Sequence, residues 1–81
     1  MEKNKLKYEI LNELGVISEG NKGWKKEFNR MSWNGEEAKY DIRSWDSDHS
    51  KMGKGITLTE EELRKLSELI LEELKILDED K

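Results

Sequence analysis

Aromatic rings and cations alternate through the middle of the chain: Trp24-Lys25-Lys26, Phe28-x-Arg30, Trp33, Lys39, Arg43-x-Trp45, Lys51 and Lys54. That mixture suits a single nucleic-acid strand, whose unpaired bases stack on π-faces while Lys and Arg follow the phosphates. Trp45 shares strand parity with Lys39, Asp41 and Arg43 rather than with Tyr40 and Ile42, which predicts an exposed functional face. Trp33, beside Asn34-Gly35, fits stacking and packing equally. Trp24 and Phe28 read as structural.

Other chemistries fail on spacing. Asp46-Ser47-Asp48-His49 resembles the start of a calcium loop, but Lys51 stands where the loop needs Gly and Thr57 where it needs Glu. Its Asp and Ser side chains are expected to cap their own backbone instead. Gly53-Lys54 lacks the first glycine of a phosphate loop, because Asp48 occupies that position. His49 has no neighbouring nucleophile beyond Ser50. No catalytic constellation emerges, and the expectation is a protein that is not an enzyme.

The elements that must hold these residues are short. The chain has 81 residues and 9.6 kDa, with 42% charged residues against 33% hydrophobic ones, so its core is thin. It has no cysteine and one histidine, which excludes disulfides, thiolate metal sites and a protein-only His cage. No apolar run approaches a membrane span, and the first residues lack a signal-peptide stretch, so a soluble cytoplasmic protein is expected. Net charge is −4 overall, but residues 1–58 carry +1 and residues 59–81 carry −5. The acid is concentrated in the C-terminal segment, away from the aromatic residues.

Leu6 to Ile17 alternates, with Leu6, Tyr8, Ile10, Leu14 and Val16 on one parity. Leu11 and Ile17 break the pattern, which points to a bulge or a two-sided strand end. After a turn at 19–23, residues 24–33 read as a second strand. Asn34-Gly35 signals a hairpin, and residues 39–45 form a third strand. Residues 46–53 read as a polar loop and 55–58 as a short fourth strand. Short connections without proline predict an antiparallel sheet. Thr59 with Glu62 makes a capping box for a helix reaching Leu77. On that helix Leu63, Leu66, Ile70, Leu74 and Leu77 fall in one stripe, Leu69 and Ile76 in a second, and Leu71 lies apart. This is more apolar surface than one small sheet covers, which predicts a homodimer.

Tyr40-Asp41-Ile42-Arg43-Ser44-Trp45, followed by Lys51-Met52-Gly53-Lys54-Gly55-Ile56-Thr57-Leu58-Thr59-Glu60-Glu61, resembles the signature of the positive cofactor four family of transcriptional coactivators, and most closely its compact bacterial YdbC-like branch. The resemblance runs from about Tyr8 to Leu77. It implies an α+β domain over residues 6–77: a curved four-stranded antiparallel sheet, one C-terminal helix, and a homodimer through the helices. It also implies single-stranded DNA across the sheet. By this resemblance Trp45 matches a base-stacking aromatic, Trp33 an aromatic before the hairpin, and Arg43 and Lys54 basic groove positions. Where eukaryotic members carry basic residues after the hairpin aromatic, this chain has Glu36-Glu37, which dilutes the basic track.

Together these features predict a homodimer that binds single-stranded DNA (or RNA) with little sequence preference, in transcription, replication or repair. The candidate nucleic-acid-binding residues are Lys26, Arg30, Trp33, Lys39, Arg43, Trp45, Lys51 and Lys54. No cofactor, metal, small-molecule substrate or membrane is called for. The rival is an adaptor dimer whose aromatic residues grip a protein partner instead.

Overall fold

A computed structural model describes residues 7–80; Leu6, expected at the start of the first strand, lies outside them. Four strands, β1 (Tyr8–Glu19), β2 (Lys25–Trp33), β3 (Lys39–Trp45) and β4 (Met52–Leu58), precede one helix, α1 (Glu60–Glu79). The strands form one open antiparallel sheet in sequence order. This is the α+β architecture expected.

Local chemistry explains the connections. Asn34 and Gly35 both have positive φ (52° and 76°), and the Glu36 amide closes the turn on the Trp33 carbonyl at 2.9 Å. Two left-handed residues in succession are what a hairpin matching strand twist requires. At the helix start the Thr59 hydroxyl accepts from the Glu62 amide at 3.1 Å, and the Glu62 carboxylate accepts from the Thr59 amide at 2.9 Å. Both halves of the capping box are therefore made.

β4 begins at Met52, three residues before the sequence places it, because Met52 pairs with Trp45 despite the glycines that follow. Gly55 is required there. A Cβ at that position would collide with the Arg43 side chain and the Ile42 carbonyl, so only a bare backbone lets β4 reach β3.

β1 departs furthest from simple alternation. Its register against β2 shifts three times, between Ile10 and Asn12, Glu13 and Gly15, and Val16 and Ser18. Leu11, Leu14 and Ile17 are thereby left out of the ladder. Each extra residue resets the parity. Tyr8, Ile10, Glu13 and Val16 pair with Trp33, Met31, Asn29 and Glu27 and share their face. Leu14 is consequently not a ladder partner on the Tyr8 face, and Glu13 is, contrary to the period-two expectation.

The two faces of the sheet differ. On the face bearing Trp33 and Trp45, Met31 and Trp45 have no exposed surface, and Asn29 and Asp41 are also buried. On the opposite face Phe28 and Ile42 pair across β2 and β3 and are only half-buried. With Ile17, Leu63, Leu66 and Ile70 they line an open hollow of about 290 Å³. α1 meets the sheet through β3 and β4, and none of its residues is fully buried. Leu71, expected apart from the main stripe, joins Ile70 along the same hollow. Leu69, Ile70, Leu71, Leu74, Ile76 and Leu77 are all exposed. The radius of gyration is 15.3 Å, against about 12 Å for a compact domain of this length. The helix projects beyond the sheet instead of closing on it.

Candidate nucleic-acid interface

Odd-numbered positions of β2 and β3 bring Glu27, Asn29, Met31 and Trp33 beside Asp41, Arg43 and Trp45 on one face. Tyr8 of β1 enters the same cluster, its ring centroid 5.7 Å from Trp33 and 5.5 Å from Trp45. The Arg43 guanidinium lies over Trp33, 4.9 Å from the ring centroid. Such a cation–π contact contributes about 0.5–2 kcal/mol, more as it is desolvated.

Arg43 is held on every side. Its Nε and Nη2 donate to the two carboxylate oxygens of Asp41 at 2.7 and 2.9 Å, a bidentate fork. Its Nη1 donates to the Gly53 carbonyl at 3.3 Å. Asp41 also accepts from the Thr57 hydroxyl at 3.0 Å. The D-I-R spacing thus places a buried carboxylate and its guanidinium on one face, two residues apart. In this arrangement Arg43 fixes Trp33 and leaves little for a phosphate.

The β3–β4 loop builds the other wall. The Asp46 carboxylate accepts from the Lys51 amide at 3.1 Å and from the Ser50 hydroxyl at 2.8 Å. Desolvation pushes the Asp46 carboxyl up, but hydrogen bonds from Lys51 and Ser50 outweigh it and hold it below its ordinary value. Asp48 accepts from the Ser50 amide at 3.1 Å. These side chains cap their own backbone, as the sequence predicts. The loop carries His49 in the left-handed region (φ 62°). From there the imidazole stacks on Trp45, with centroids 4.9 Å apart, and its Nε2 lies 2.9 Å from the Glu27 carboxylate.

Trp45 is therefore on the predicted face but is not exposed. Tyr8 and His49 cover it, and the expectation of an open indole is corrected. The indole N–H groups of Trp33 and Trp45 and the Asn29 side-chain oxygen are buried without a partner among the described residues. Residues 20–69, which carry Trp33, Arg43, Trp45 and His49 of this cluster, match the family Transcriptional Coactivator p15 (PC4).

The chain belongs to the PC4 family. An uncharacterized protein of Treponema pallidum (strain Nichols) is 48% identical over 63 residues, covering 78% of this chain and 74% of that protein. PC4-family domains bind single-stranded DNA and are non-enzymatic. No helix among the described residues is long and apolar enough to cross a membrane.

Within this PC4 domain the candidate residues separate. Trp33, Arg43 and Trp45 come together, and Lys39 joins their face opposite Met31. Lys51 and Lys54 are exposed on the loop and strand that follow Trp45. Lys26 and Arg30 pair with Ser44 and Tyr40 on the other face, and Arg30 donates to the Asn12 side chain at 3.3 Å. They are not brought to the aromatic cluster. Glu37 lines a hollow with Arg30, Tyr40 and Glu60, toward the helix start. Phe28 packs on the helix side, 6.2 Å from the Tyr40 ring, in keeping with a structural role. Sequence reasoning missed Tyr8, Glu27 and His49, which build the cluster. Only the parity of Tyr8 hinted at it, and three register shifts obscured that signal.

Proposed function

We propose that this chain works as a homodimer that binds single-stranded DNA with little sequence preference and serves transcription, replication or repair in the cytoplasm. The observation that carries this is the convergence of Tyr8, Trp33, Trp45 and Arg43 on one sheet face of a PC4-family domain. Stacking on such rings tolerates any base, because every base has a π-face. A duplex hides those faces.

The phosphate track falls to lysines, because Arg43 is committed to Asp41 and Gly53. Lys25 pairs in register with Trp45, and Lys39 with Met31, so both border the cluster. Exposed Lys51 and Lys54 lie on the loop and strand that follow Trp45. Few cations imply few neutralised phosphates, so log affinity should fall with log salt with a slope of roughly −2 to −4.

The dimer reading is supported by the six exposed aliphatic residues from Leu69 to Leu77 and by the open hollow between helix and sheet. A second copy is the economical cover for a self-complementary patch of this kind.

Tryptophan fluorescence during titration with oligo-dT, oligo-rU and duplex DNA of equal length tests the function. Quenching by oligo-dT, at least about tenfold tighter than for duplex, is expected from stacking. Equal affinity for single and double strands would show nonspecific charge binding. No response to any of them would leave the protein-adaptor alternative.

A further inference from the structure

Four rings make up the aromatic face, and they differ in what a ligand can reach. Trp45 has no open surface, and Trp33 and His49 are partly covered. Tyr8 alone of the four is exposed, at 39%. It stands on the outermost strand, paired in register with Trp33, and its ring is inclined by 51° and 56° to the two indoles behind it.

The start of β1 does not hang free. The Asn34 amide donates to the Lys7 carbonyl at 2.7 Å, and the Asn34 side-chain oxygen accepts from the Lys7 amide at 3.1 Å. The hairpin turn therefore clamps the residue before Tyr8. A ring fixed by backbone pairing and backed by two indoles has little conformational freedom left to lose on binding.

We propose that Tyr8 is the base-stacking platform of this face. An unpaired nucleobase lies on the outer side of its ring, with Trp33 and Trp45 as the wall that holds the ring in place. This rests on the single-strand binding proposed above and assigns the contact to a residue that the aromatic–cation pattern of the sequence does not single out. Arg43 then acts as a positioning residue, through Trp33, on a platform it does not itself form.

Photocrosslinking tests the assignment on the wild-type chain. Oligo-dT carrying single 5-iodouracil substitutions is bound, irradiated with long-wavelength ultraviolet light, and the adducts are mapped by peptide mass spectrometry. The expected adduct is on Tyr8. Alongside it, Tyr8→Ala should bind oligo-dT about tenfold more weakly and Tyr8→Phe within about twofold of wild type, because stacking needs the ring and not the hydroxyl. The salt slope should be unchanged in both variants, since no phosphate contact is lost. Adducts confined to other residues, or wild-type affinity in Tyr8→Ala, would overturn the assignment while leaving single-strand binding intact. If Tyr8→Ala does not fold, the wild-type adduct map decides alone. A wild-type chain that fails to bind oligo-dT overturns both proposals together.

Discussion

The imidazole of His49 lies nearly parallel to the indole of Trp45, with centroids 4.9 Å apart and planes inclined by 28°. A loop residue thus occupies a face of the tryptophan against which a base would otherwise stack. The loop is fixed through Asp46, and the imidazole is anchored by Glu27. With Tyr8 on it as well, Trp45 is the centre of the small core on this face.

Trp45→Ala should accordingly be a stability mutation. Removing a fully buried tryptophan costs about 3–5 kcal/mol, a large share of what a chain this small possesses. Thermal unfolding by circular dichroism checks it. A melting temperature within a few degrees of wild type would mean that the ring is not core in solution.

Asp41 and Arg43 form a buried pair whose halves depend on each other, with side-chain exposures of 0% and 14%. Asp41→Ala strands the guanidinium over Trp33 and should cost about 3–5 kcal/mol, as is usual when one partner of a buried pair is removed. Arg43→Lys loses the fork and the flat contact with Trp33. It should weaken oligo-dT binding while leaving the salt slope unchanged, because the guanidinium is spent on Asp41 and not on phosphate. A shallower slope in that variant, measured by titration at several salt concentrations, would return Arg43 to the phosphate track.

Two glycines should respond in opposite directions to alanine. At Gly55 a methyl group meets Arg43 and the Ile42 carbonyl, and overpacking of this kind costs about 1–3 kcal/mol or more. At Gly15 nothing lies within 4 Å, so Gly15→Ala should be neutral or stabilising by up to about 1 kcal/mol through the unfolded chain. Denaturant midpoints for the two variants decide the comparison.

Much of this fold is legible in the residue types. The Thr59–Glu62 box, the Asn34-Gly35 turn and the antiparallel order followed from residue types alone. So did the side of β3 that carries Trp45, because alternation in a regular strand is strict. What covers that side was not legible. Tyr8 reaches it through an edge strand whose parity resets at Leu11, Leu14 and Ile17, and period-two reasoning cannot see such resets. His49 reaches it from a loop through a left-handed backbone. The buried polar group at Asn29 and the carboxylates at Glu27 and Asp41 were also hidden, because their burial depends on partners distant in sequence.

Leu74 is 46% exposed in the single chain, so Leu74→Asp should keep its helix content. It should prevent association, because an unpaired carboxylate buried between helices costs several kcal/mol. Sedimentation equilibrium should find the wild type at twice 9.6 kDa and the variant at 9.6 kDa. A monomeric wild type at micromolar concentration would overturn the dimer.

Binding of a single strand on the aromatic face is best read from the three indole N–H resonances in a nitrogen–proton correlation spectrum as oligo-dT is added. The signals of Trp33 and Trp45 should move together with the amides of Tyr8, Lys39 and Lys51, while the helix amides from Leu66 to Leu74 stay in place. Shifts confined to the helix and the Phe28–Ile42 face, with Trp33 and Trp45 unmoved at saturation, would contradict it.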